Sequence, residues 1–204
     1  MTTQIPNKKQ NTIFDSKIIL PILSWLSSLI LFVFRWKVAG EIPKEKKYII
    51  IVAPHTSNWD FFWGMCTVLK MRWRVNWVGK DSLFTGFKGG IMRWLGGTGI
   101  DRSNASNIVD SYIQLVEKSE SINIVITPEG TRGYVDKWKT GFYRIADGAD
   151  IPLALAFIDF SKKELGFGPM MKTTGDYEQD KAKIKAFYRP IIGKNPESYC
   201  VDFD

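Results

Sequence analysis

The chain has 204 residues, 45% hydrophobic and 24% charged, which suits one folded domain with its own core and argues against a disordered chain. Its formal net charge of +7 points to an anionic partner, whether nucleic acid, an acidic carrier or a lipid surface, without choosing among them. Two distant cysteines, Cys66 and Cys200, without a C-x-x-C, argue against a disulfide framework and a zinc site, and the single histidine, His55, must serve any mechanism that needs an imidazole.

Residues 1–17 are largely polar. Ile18–Phe34 follows as an uncharged run, broken only by Ser24, Ser27 and Ser28. As a helix it is about 25 Å long, against about 30 Å of bilayer hydrocarbon. Lys8, Lys9 and Lys17 precede it, and Arg35 and Lys37 follow. With cations on both sides, a helix dipping into one leaflet satisfies the pattern better than a polarised span. A buried core helix is the alternative. Residues 1–37 are thus expected to form a tail and a membrane-associated apolar helix, and residues 38–204 a second unit.

In that unit, Tyr48–Ala53 reads as a buried strand and Trp59–Lys70 as a helix. Arg74–Val78 reads as a strand. Phe84–Leu95 carries three glycines within a helical pattern. Asn107–Lys118 is an amphipathic helix with Ser103 or Asn104 as candidate cap. Ile122–Ile126 is a strand, Gly141–Ala146 a short helix and Ile151–Ile158 a strand. Glu178–Tyr188 is a helix, with Asp176 and Gln179 spaced as a capping box. This alternation predicts a single α/β domain: a mixed, mainly parallel sheet flanked by helices.

Three segments could carry chemistry. In A53-P-H-T-S-N-W-D60, His55 and Asp60 stand five residues apart. On one regular helix their side chains would diverge by about 140°. They converge if His55 lies in the loop and Asp60 in the first turn. Pro54 keeps the preceding backbone extended, and Thr56, Ser57 or Asn58 can cap. An Asp that orients a His and stabilises its imidazolium makes a general base. No G-x-S-x-G elbow occurs, so the nucleophile is expected to be the substrate's own hydroxyl. A capped helix beside a polar loop histidine produces the same pattern.

The second segment is G96-G-T-G-I-D-R-S103, whose backbone and Arg102 could meet a phosphate. The third is T127-P-E-G-T-R-G133, a tight loop after a strand holding Glu129 and Arg132. Each by itself also describes an ordinary turn.

In this order, and followed by Ile151-Pro152-Leu153, the three segments resemble the glycerolipid acyltransferase family, the PlsC-like 1-acylglycerol-3-phosphate acyltransferases. The resemblance covers about residues 38–160. It implies that His55 is the general base and Asp60 its partner. It implies that Arg102 binds the acceptor's phosphate, and that Glu129, Gly130, Thr131 and Arg132 line the acceptor site, with Lys139 assisting. Pro54 stands where relatives usually have Asn, and Gly133 where Ser is common.

The implied reaction moves a fatty acyl group from an acyl thioester, on coenzyme A or acyl-carrier protein, to a lysophospholipid hydroxyl. It requires no metal and no bound cofactor. The expected partners are the donor, the acceptor and an anionic membrane surface, at the cytoplasmic face of the cell membrane, and not nucleic acid. The rivals are a non-catalytic membrane-binding protein on the same scaffold and an acyltransferase for a different lipid acceptor.

Overall fold

A computed structural model describes residues 11–100 and 105–200. Arg102 and the candidate caps Ser103 and Asn104 lie outside the described residues, as do Lys8 and Lys9. The elements in order are α1 (Ile19–Val33), β1 (Lys37–Ala39), β2 (Lys47–Ala53), α2 (Asn58–Lys70), β3 (Asn76–Lys80), α3 (Gly86–Trp94), β4 (Gly97–Ile100), α4 (Ala105–Lys118), β5 (Ile122–Ile126), α5 (Gly141–Gly148), β6 (Leu153–Asp159), β7 (Glu164–Met171) and α6 (Tyr177–Tyr188). They form a single α/β domain around one seven-stranded sheet of order β1-β7-β6-β2-β5-β3-β4.

β2, β3, β4, β5 and β6 run parallel, while β7 pairs antiparallel with β6. The parallel strands finish at one end of the sheet, where loops after β2, β3 and β5 gather. β1 pairs parallel with β7 and therefore runs against β2, so its first residue, Lys37, lies at that same end.

Side-chain alternation sorts the two faces of the sheet. Ile49, Ile51 and Ala53 of β2 join Leu153 and Leu155 of β6 in the main core, under α4, α5 and α6. Tyr48, Ile50, Ala154 and Ala156 point the other way. There α2 crosses the sheet, and α1 packs on α2. Ser24 donates to the Lys70 carbonyl, while Phe34 meets Trp63, so α1 runs antiparallel to α2 and ends near the start of that helix. Leu31 and Trp36 are buried with Trp63, Cys66, Ile158 and Leu165.

The sequence names no strand at β1, which is three residues long, at β4, which lies inside the glycine segment 96–103, or at β7, E-L-G-F-G-P-M-M. β7 tolerates Pro169 because the β6–β7 register shifts between Ala154 and Ala156, leaving an extra residue around Gly168 and Pro169. Gly166 is required for another reason: a Cβ there would lie 1.9 Å from the Ala39 carbonyl oxygen of β1. The glycine-rich 84–95 stretch forms α3, and a 3-10 turn, Asp81–Phe84, precedes it. Gly89 lets them touch, since a Cβ would sit 2.2 Å from the Phe84 backbone. Asp176 caps α6 by accepting from the Gln179 amide at 3.1 Å.

Candidate active site

Ser57 is the residue that caps α2. Its side chain accepts from the Trp59 amide at 3.2 Å, and Asp60 Oδ2 accepts from the Ser57 amide at 2.8 Å. This reciprocal box draws the Asp60 carboxylate back over the loop, where His55 Nδ1 lies 3.1 Å from the same oxygen. Both side chains belong to one loop-to-helix junction. The carboxylate thus fixes the tautomer and leaves Nε2 available to a substrate. Asp60 is 3% exposed, and its Oδ1 is buried with no hydrogen-bond partner among the described residues. A carboxylate so shielded from water interacts more strongly with a neighbouring imidazolium than a solvated one would.

Two distant segments hold the histidine loop from outside. The His55 amide donates to Glu129, and Glu129 is 4% exposed. Burial, aided by the Asp60 charge and opposed by the His55 amide, pushes the Glu129 carboxyl up to about 8. The second segment follows α6. The Asn195 amide donates to Thr56 Oγ1 at 3.1 Å, and Asn195 Nδ2 donates to the Thr56 carbonyl at 3.0 Å. Gly193 packs against Pro54 and Thr56, with no room for a Cβ within 2.8 Å of the Thr56 hydroxyl. No local signal marks Gly193 or Asn195, because they reach the loop across most of the chain length.

His55 and Asp60 stand on the wall of an apolar cavity of about 560 Å³ between α2 and the sheet. Ile50, Val52, Val125 and Ala156 line its floor, and Phe61, Gly64, Met65 and Val68 its α2 side. Two small residues, Gly64 of α2 and Ala156 of β6, are among those that line the space. A Cβ on Gly64 would meet nothing nearer than Ile158 Cδ1 at 4.0 Å. Trp73, Trp77 and Phe167 supply aromatic walls. Such a space suits a flexible hydrocarbon, and the polar groups near His55 mark one end of it.

Of the expected acceptor-site residues, Gly130, Thr131 and Arg132 line this cavity, and Thr131 and Arg132 are exposed at its edge. The structure places Glu129 elsewhere: it sits behind the loop, on the His55 amide, because its burial leaves that donor as its partner. Lys139 is not on the cavity wall. It lies outside, with its amide on the Pro128 carbonyl and its side chain over Gly130, where a Cβ would come within 3.0 Å of Cε. Arg102 lies outside the described residues.

The sequence matches the family model for acyltransferases over residues 35–156, which runs from β1 into β6 and includes every motif named above. This chain belongs to the acyltransferase family. The acyltransferase fold is also that of a solved structure, the 1-acyl-sn-glycerophosphate (LPA) acyltransferase PlsC from Thermotoga maritima. The two share 15% identity at a TM-score of 0.59, over 84% of this chain and 77% of that one. No curated protein matches the acyltransferase sequence.

Proposed function

We propose that this acyltransferase moves a fatty acyl group from an acyl thioester to the free hydroxyl of a lysophospholipid of the 1-acylglycerol-3-phosphate type, at an anionic membrane surface. The observation that carries this reading is the His55–Asp60 pair set in the wall of a hydrocarbon-sized cavity, with Arg132 at its edge.

In the proposed mechanism, His55 Nε2 takes the proton of the acceptor hydroxyl as its oxygen attacks the thioester carbonyl. Asp60 stabilises the imidazolium. The tetrahedral oxyanion forms near the first turn of α2, whose amide end carries positive potential. Collapse breaks the carbon–sulfur bond, and the imidazolium returns its proton to the departing thiolate. The acyl chain occupies the cavity. Arg132, with Arg102, holds the acceptor phosphate through paired charge-assisted hydrogen bonds. Coenzyme A and acyl-carrier protein are both acidic, and the net charge of +7 suits either.

Membrane attachment is assigned to α1. Among the described residues no helix is long and apolar enough to cross a membrane. α1 and Ile18 before it nevertheless present Ile18, Ile22, Trp25, Leu29 and Phe32 along one exposed stripe, joined near α2 by Phe34, Trp59 and Phe62. A stripe of this kind suits a helix lying in the interface of one leaflet.

The test offers purified full-length protein mixed lysolipids and acyl thioesters, with products read by mass spectrometry. A new diacyl phospholipid, lost in His55→Ala, is the expected result. Product on neutral acceptors alone would move the assignment to another lipid class. No transfer from any thioester would favour a non-catalytic membrane protein.

A further inference from the structure

A second exposed apolar patch lies on α3 and the turn before it. Phe87 is 86% exposed, and Leu83 and Ile91 are 44% and 40% exposed. Phe87 and Ile91 are one turn apart on α3 and share a face. The patch is not a loosely held segment. Phe84 between them is buried against Trp77, Gly89 is locked on the Phe84 backbone, and Arg93 Nη1 donates to the Phe84 carbonyl at 2.6 Å. The inward side chains are satisfied, so Leu83, Phe87 and Ile91 are presented outward by a fixed scaffold. Within residues 80–93 the charged residues are Lys80, Lys88 and Arg93 against one carboxylate, Asp81.

Topology decides where this patch points. β3 is parallel to β2 and β5, so Lys80 and the turn that follows it lie at the same end of the sheet as His55. The end of α1, Phe32–Phe34, lies at that end as well, because β1 starts there. The sheet order sets α1 with β1 on one edge, α3 between β3 and β4 on the other, and β2 with β5 between. Lys80, Leu83 and Met92 also line the cavity that His55 lines.

We propose that Leu83, Phe87 and Ile91 form a second bilayer contact, which seats the catalytic end of the sheet on an anionic membrane together with α1. The occupant is a lipid surface, for two reasons. The segment that carries the patch is net cationic, as binding to acidic headgroups requires. The patch is also a few side chains wide, well short of the roughly 1,000 Å² a stable protein interface needs, yet enough for shallow insertion. Two contacts on opposite flanks hold the cavity between them over the bilayer, so a lipid chain reaches His55 without crossing water. The proposal rests on the membrane-surface reading above and adds orientation to it.

The test places an environment-sensitive fluorophore at Phe87→Cys and, in a second protein, at Trp25→Cys, both in a Cys200→Ser background; Cys66 is buried. Each is mixed with phosphatidylcholine vesicles containing phosphatidylglycerol and spin-labelled acyl chains. Both probes are expected to shift to the blue and to be quenched, less so at high salt. A quenched probe at position 25 with a water-exposed probe at position 87 would overturn the second contact and leave α1 as the anchor. Two unquenched probes would overturn the membrane reading itself. Shielding at position 87 without vesicles, growing with protein concentration, would overturn the proposal in favour of a second copy of the chain. With otherwise native sequence, Phe87→Asp with Ile91→Asp should weaken vesicle partition by about tenfold and leave transfer to a monomeric short-chain acceptor unchanged.

Discussion

Both carboxylate oxygens of Glu129 lie 3.0 Å from the backbone nitrogen of His55. The β5–α5 loop therefore reaches His55 through its main chain rather than its ring, so a change at Glu129 moves the residue without altering its imidazole. The pH dependence follows from the carboxyl pushed up to about 8 by burial. Between the ordinary carboxylate range and that value, the folded chain holds a proton that the unfolded chain has released. The stability linked to Glu129 is complete below the unfolded value and is lost as pH rises through about 8. The melting temperature should fall over that window, and Glu129→Gln should flatten the fall. Parallel curves for the two proteins would refute the linkage.

His55→Ala should cut turnover by ~10²–10⁴-fold while the melting temperature stays near that of the native protein. The chain holds no second histidine to compensate. Asp60→Asn keeps an oxygen for the Ser57 amide, so α2 remains capped, yet an amide cannot stabilise an imidazolium. Its turnover should fall with little unfolding. A low turnover explained entirely by a lower melting point would instead make Asp60 a cap alone.

Arg132→Ala should raise the KM for a phosphate-bearing acceptor by ~10-fold and leave kcat nearly unchanged, if the lost contact is worth ~1.5–3 kcal/mol. The KM for the acyl donor should move much less. The same split is expected for Arg102→Ala. Equal losses on phosphorylated and neutral lysolipids would remove both residues from the phosphate site.

Gly64→Leu should shift acyl preference toward shorter chains. Gly64 lines the cavity, and the first carbon of the new side chain meets nothing closer than 4.0 Å. Replacing a helical glycine also favours α2 by up to ~1 kcal/mol, which protects the fold. Competition among acyl thioesters of graded length reads the shift; an unchanged profile would place the chain outside this cavity.

Asn195→Ala removes the Nδ2 donor to the Thr56 carbonyl and loosens the loop next to His55. Turnover should fall by roughly tenfold, about the value of one hydrogen bond, with donor KM unchanged. Asn195→Asp should not restore it, since a carboxylate cannot donate to a carbonyl. Full recovery by Asp would show that the side chain acts by packing alone.

Local chemistry was written plainly in the sequence. The β-rich run Tyr48–Ala53, the uncharged run from Ile18 and the His55–Asp60 spacing depend on neighbours within a few residues, so β2, α1 and the His55–Asp60 pair were legible, whereas the choice of Ser57 among three candidate caps was not. Tertiary structure decided everything that depends on separation. β7 is a strand because Gly166 admits the Ala39 backbone and a bulge accommodates Pro169, neither of which any local pattern encodes. The cavity is lined by residues as far apart in the chain as Gly64 and Ala156, which only the fold brings to one space. Glu129 read as a wall of the acceptor site but is buried on the His55 amide, and Asn195 carried no signal at all. Sequence spacing reports which side chains share a helix turn or a strand face. Which groups are buried against each other, and so which carboxylate loses its water, is settled when the sheet brings the ends of β2 and β5 together.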